Sequence, residues 1–143
     1  VATGVCFHCE KNHKFQDLWS FAFSNFGVED VWEIGQEDDM RVYQNPIPVR
    51  SAADLPDDRP LVVLSPRDAE CIKGEVSLRQ YDHEDDNTIF LFGRSHGVIT
   101  EETLGGRKPD AVVYIPTVAH EMYAFCAAYI VLYDRFVKRG VRG

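Results

Sequence analysis

Two rhythms of apolar positions alternate along the chain. The opening stretch "VATGVCFHC" places Val5, Phe7 and Cys9 on one parity and Cys6 on the other. Successive side chains of a strand point to opposite faces, so this pattern predicts a buried strand. Then Phe15, Leu18, Trp19, Ala22, Phe23 and Phe26 stand at i, i+3, i+4, i+7, i+8 and i+11. That spacing predicts a helix with one apolar face. Gly27 follows the last of them, where a helix C-terminus favours glycine. His13 is left in the loop between the two elements. "VEDVWEIG" alternates again as a second strand, and strand, helix, strand reads as a right-handed parallel crossover.

Residues 36–60 are acidic and proline-bearing, which predicts irregular pieces with a brief helix near "SAADL". "PLVVLSPR" is a buried strand ended by proline. "DAECIKGEVSLRQY" predicts one or two short helices broken by Gly74, and "DHEDDN" a polar turn. "TIFLFGRSHG" is a strand running into a glycine-bearing loop. "TEETL" is a short helix capped by Thr100, with Thr103 where a capping box places Glu. "DAVVYIP" is another strand. A long helix from about His120 to Lys138 closes the chain, with Met122, Cys126, Tyr129, Tyr133 and Phe136 as its stripe. Strands alternating with helices imply an α/β fold: a mostly parallel sheet with helices on both faces, in one domain over residues 1–143. In such sheets ligands sit at the carboxyl ends of strands. Here those ends are "LSPR", "FGRSHG" and "IPTVA".

Composition narrows the class. With 143 residues, 45% apolar and 27% charged, the chain has the make-up of a soluble globular domain. No apolar run approaches the roughly 18 residues that span a bilayer, so no membrane partner is expected. Four cysteines, with Cys71 and Cys126 isolated, do not resemble a disulfide framework, and a reducing cytoplasm is the expected location. The net charge of −8 opposes a polyanionic partner. The acid concentrates in "EDDM", "DLPDD" and "DHEDD", whereas the end carries Arg135, Lys138, Arg139 and Arg142. Such a basic run is either a solvated face or a local RNA-binding patch.

Candidate chemistry is sparse. Cys6, His8, Cys9 and His13 crowd the opening and raise the question of zinc. Cys6 and Cys9 face opposite ways on a strand, and no second ligand pair follows, so no metal is expected. His96 and His120 lie at two strand ends that converge in a parallel sheet, where they would serve as acid–base groups or as ordinary loop histidines. Arg94 could meet a phosphate or a carboxylate. "FGRSHG" is not a dinucleotide fingerprint and "GGRK" is not a Walker loop.

Four pieces in order are similar to one known family. The first strand and helix ending in "FGVEDVWEIG", then "TIFLFGRSHGVITEETL", then "DAVVYIPT" and finally "AAYIVLYDRF" resemble the SPOUT superfamily, specifically the SpoU-type RNA 2'-O-ribose methyltransferases. The resemblance covers nearly the whole chain. It implies a C-terminal trefoil knot, an exception to the general absence of knots. It implies S-adenosylmethionine as cofactor, cradled by Ser65 in the first loop, by Gly93, Arg94, Ser95 and Gly97 in the second, and by Ile115 and Thr117 in the third, with Met122 as the next contact. It implies a homodimer through the first and last helices and an RNA substrate, tRNA or rRNA. The sequence also departs from the family. Phe15 and Phe21 stand where the family has an Asn and its catalytic Arg, Ser95 replaces a Glu, and "EMY" at 121–123 replaces "SLN". No catalytic residue is therefore assigned. Two readings follow from the resemblance: an RNA methyltransferase, or a catalytically inactive homologue that binds cofactor or RNA without transfer. An unrelated α/β small-molecule binder is a third.

Overall fold

A computed structural model of the chain describes residues 3–10, 12–35, 46–94, 99–118 and 122–140. Among these described residues, seven strands form one sheet. They are β1 (Gly4–His8), β2 (Asp30–Ile34), β3 (Ile47–Val49), β4 (Leu61–Leu64), β5 (Val76–Ser77), β6 (Ile89–Leu91) and β7 (Ala111–Tyr114), in spatial order β3-β2-β1-β6-β4-β7-β5. Every strand pairing among the described residues is parallel. The helices are α1 (His13–Asn25), α2 (Glu101–Leu104) and α3 (Ala124–Lys138).

Alternation along each strand builds two cores. Val5 and Phe7, Val62 and Leu64, and Phe90 face α1 and α3. Cys6, Leu61, Val63, Ile89 and Leu91 face the other side, under Ala52 and Leu55 of a short 3-10 turn and Leu104 of α2. Helices thus cover both faces, as near-continuous apolar strands require. The opposed placement of Val5 and Phe7 against Cys6 follows the period-two reading of the opening stretch.

Asn12 caps the start of α1, its side-chain oxygen accepting the Lys14 amide at 2.9 Å. Trp19, Ala22 and Phe23 are buried along its inner face. Gly27, at φ +65°, ends it, and the Val28 amide donates back to the Phe23 carbonyl at 2.9 Å in the manner of a Schellman cap. His13 is the first residue of this helix rather than a loop residue.

Four further expectations change. β3 was not anticipated, because Pro48 sits in its middle; the strand lies at the sheet edge, where a missing amide is tolerated. "DAECIKGEVSLRQY" forms no α-helix. The Gly74 amide bonds the Pro66 carbonyl and the Glu75 amide bonds Val112, which draws Val76–Ser77 alongside β7 as a short strand. The last helix is described from Ala124, later than His120. Its buried stripe is Ala124, Ala128, Val131, Leu132 and Arg135, while Tyr133 is 60% exposed. Met122, Cys126 and Tyr129 of the expected stripe are partly buried against the same core.

Candidate functional site

β6, β4 and β7 are neighbours, so their carboxyl ends open side by side, about 4.8 Å per strand apart. The loop after β4 is tightly closed. The Ser65 amide extends the ladder to the Val113 carbonyl at 3.0 Å, and its hydroxyl donates to the Ile72 carbonyl at 2.6 Å. Ser65 is buried. Gly74 completes the closure: a Cβ there would lie 2.6 Å from the Ser65 carbonyl oxygen and 2.6 Å from Tyr114 Cβ, so only glycine fits without a shift. Gly93 is buried just past β6, and Arg94 after it is exposed. Ile115 and Met122 are half-buried against the α1–α3 core, and Thr117 is half-buried beyond β7. Ser65, Gly93, Arg94, Ile115 and Thr117 therefore share one edge of the sheet. Ser95, Gly97, His96 and His120 lie outside the described residues.

The electrostatics of this edge come from residues that motif reading passed over. Lys14 opens α1 there, and Arg67 and Lys73 belong to the loop after β4. The Arg67 guanidinium lies 5.7 Å from the centre of the Tyr114 ring. His8 ends β1, and its Nε2 meets Thr103 Oγ1 at 3.2 Å. Burial first, and the nearby Arg94 charge second, push its pKa down to about 4, so the ring is neutral at physiological pH. Glu10 accepts the Trp19 indole N–H at 3.3 Å, and burial raises its pKa against that bond. His8 was legible as a strand-end histidine; the question of zinc drew attention to its neighbours instead. Among the described residues, no three His, Cys, Asp or Glu side chains converge as a metal site.

The C-terminal basic run proves to be structural. α3 runs antiparallel to the strands and ends at the opposite, amino edge. There Arg135, 6% exposed, donates to Thr3 Oγ1 at 2.9 Å and to the Asp85 carbonyl at 2.8 Å. Lys138 caps the carbonyls of Leu78, Arg79 (3.2 Å) and Tyr81 (2.9 Å) and pairs with Asp134 at 3.0 Å. Arg139 donates to the His83 carbonyl at 2.7 Å and pairs with Asp86. Arg135 is buried, whereas Lys138 and Arg139 lie exposed, as a solvated face would have them; all three nonetheless hold the 78–86 segment to the helix. Arg142 lies outside the described residues.

Aromatic rings fill the places where the resemblance would put polar groups. Phe15 packs against Tyr123 and Phe125 at ring-centre distances of 5.4 and 4.9 Å, and Tyr123 stacks on Phe125 at 5.4 Å with only 6° between planes. Phe21 is 59% exposed on α1.

No family model matches the chain, and no curated protein matches it in sequence. Solved structures match it in fold. The TrmH/SpoU tRNA modifying enzyme of A. aeolicus aligns with a TM-score of 0.73 at 15% identity, over 96% of this chain and 75% of that one. TrmJ from Z. mobilis ZM4 aligns at 0.76 and 14%, over 100% and 72%. The AdoMet-bound rRNA methyltransferase of Sinorhizobium meliloti aligns at 0.69 and 15%, over 99% of this chain but 57% of its own length. The chain has the α/β fold of the SpoU-type SPOUT methyltransferases.

Proposed function

We propose that the protein is an S-adenosylmethionine-dependent methyltransferase acting on tRNA or rRNA. The observation that carries this reading is the set of three adjacent strand-end loops, with a cinched β4 loop and a buried glycine after β6, in a fold aligned over 96% of the chain with a tRNA modifying enzyme. The residues present fit the cofactor. Backbone at Ser65 and Gly93 can approach a ligand closely, Ile115 and Met122 offer apolar walls, Thr117 a hydroxyl, and Arg94 a partner for a carboxylate. Ser95 and Gly97 would complete the second loop. Bound there, S-adenosylmethionine supplies an electrophilic methyl group. Lys14, Arg67 and Lys73 would meet the phosphates of the RNA at the same edge, despite the acidic chain as a whole.

The finer features belong to the same reading. The segment after β7 would pass through the loops of a trefoil knot. α1 and α3 would pair two copies, an arrangement supported by the exposed Ile130, Tyr133 and Val137 beside Phe26 and Tyr129. One domain over residues 1–143 in the cytoplasm is consistent with four free cysteines. Among the described residues no helix is long and apolar enough to cross a membrane. The Phe15–Tyr123–Phe125 packing favours a second reading, in which cofactor or RNA is bound without transfer. Incubation with isotopically labelled S-adenosylmethionine and pooled tRNA and rRNA separates them: label in RNA supports the enzyme, and cofactor binding without label supports the inactive homologue.

A further inference from the structure

Under the methyltransferase reading a reacting hydroxyl at the carboxyl edge needs a proton acceptor, and Phe15 and Phe21 of α1 offer none. His8 is the imidazole at that edge among the described side chains. Its neighbour Glu10 turns its carboxylate to the Trp19 indole. The register fixes where His8 lies. Cys6 is paired with Leu91, and the Phe92 amide donates to the Cys6 carbonyl at 3.0 Å. Two residues further, His8 runs alongside Gly93, one strand spacing from the loop that carries Arg94. Nε2 is held by Thr103 Oγ1, which in turn meets Thr100 Oγ1 at 3.1 Å. This hydroxyl pair at the start of α2 fixes the ring and occupies one nitrogen. Nδ1 has no hydrogen-bond partner among the described residues.

We propose that His8 Nδ1 accepts the proton of the RNA hydroxyl that is methylated, a role that rests on the function proposed above. In the step, the O–H bond breaks and its proton passes to Nδ1, leaving an imidazolium. The oxygen's electron pair forms the bond to the methyl carbon, and the electrons of the carbon–sulfur bond return to sulfur, so the sulfonium leaves as a neutral thioether. The imidazolium then releases its proton to water. Arg94 couples this to substrate. Its charge is the second of the two causes that hold His8 below its usual basicity. A phosphate paired with Arg94 cancels that charge, so His8 becomes a better acceptor once RNA is in place.

The test uses the full chain with labelled histidine rings, followed by NMR while S-adenosylhomocysteine and then a mixed-sequence single-stranded RNA are added, with calorimetry in parallel. His83, buried at the opposite edge, is the internal reference. The expected result is that RNA moves the His8 signal and raises its titration midpoint while His83 stays put. In labelled transfer assays, His8→Gln keeps S-adenosylhomocysteine affinity and KM within about twofold and lowers kcat by about 100-fold or more. Ligands that bind while His8 remains unmoved, or a His8→Gln protein with wild-type kcat, would overturn the assignment and leave the methyltransferase reading standing. A wild-type protein that binds the cofactor product but never labels RNA overturns the proton-acceptor role. Absence of calorimetric binding removes the methyltransferase reading itself, and this assignment with it.

Discussion

Arg135 decides whether the C-terminal cations serve the fold or the substrate. The residue is 6% exposed, and its guanidinium donates two hydrogen bonds under 3 Å and sits 5.8 Å from the centre of the Phe90 ring. Arg135→Ala removes both bonds, while the Asp85 carbonyl keeps the Thr88 hydroxyl as a donor at 3.1 Å. Each charged hydrogen bond is worth about 1.5–3 kcal/mol net, offset in part by relief of the cation's own desolvation. A loss of about 3 kcal/mol follows, which for a chain of this size lowers Tm by about 10 °C. Arg135→Met keeps most of the volume and should lose roughly half as much. Urea unfolding followed by tryptophan fluorescence reads the stability, since Trp19 lies in the same core. Fluorescence anisotropy with labelled RNA at low temperature, where both variants stay folded, should show affinity within about twofold of wild type. Stability within about 0.5 kcal/mol of wild type, together with lost RNA binding, would refute the clamp and restore the patch.

Gly74→Ala should lower stability by about 1–3 kcal/mol by forcing the Ser65 carbonyl and Tyr114 apart, and should weaken S-adenosylhomocysteine binding at least tenfold; paired melts and calorimetry check both. The folded-state pKa of His8 is depressed from 6.5 to about 4, so the unfolded chain takes up the proton first as pH falls. Its contribution is complete above about pH 6.5 and is lost between there and pH 4; discounted for partial exposure it amounts to about 1–2 kcal/mol. Urea midpoints at pH 7 and 4.5 should therefore fall less for His8→Gln than for wild type. Tyr133→Glu combined with Val137→Glu should leave the monomer's stability within about 0.5 kcal/mol and abolish self-association in analytical ultracentrifugation; a variant pair that still dimerises excludes the α3 flank from the interface.

Periodicity carried most of the architecture. β1, α1, β2, β4, β6, α2 and β7 are all legible from apolar spacing and caps because each buries a full face within its own segment. β3 and β5 are not, since they are short edge strands recruited by pairing rather than by pattern: Pro48 argues against the first, and Gly74 with Glu75 hides the second. The stripe read on α3 holds in part: Met122, Cys126 and Tyr129 pack against the core, but Ala124, Ala128, Val131 and Leu132 are the fully buried positions. Its sequence "AFCAAYIVLY" is apolar nearly all round, so spacing alone could not choose the most buried side. For the site, the loops after β4, β6 and β7 were visible as glycine and proline breaks at strand ends. The roles of the charges were not. Arg135 looks like any terminal cation in sequence, and only the antiparallel run of α3 carries it to the amino edge. His8 drew no role in sequence once zinc was set aside, and only the register sets it beside Gly93.

The proposed cofactor site lies at the carboxyl ends of β4, β6 and β7. Calorimetric titration of the purified chain with S-adenosylmethionine and S-adenosylhomocysteine tests it most directly. Saturable binding of both in the micromolar range is expected, abolished or much weakened in Gly74→Ala. No heat of binding at millimolar ligand, from a protein shown to be folded, would contradict it and leave the SpoU-type fold without its chemistry.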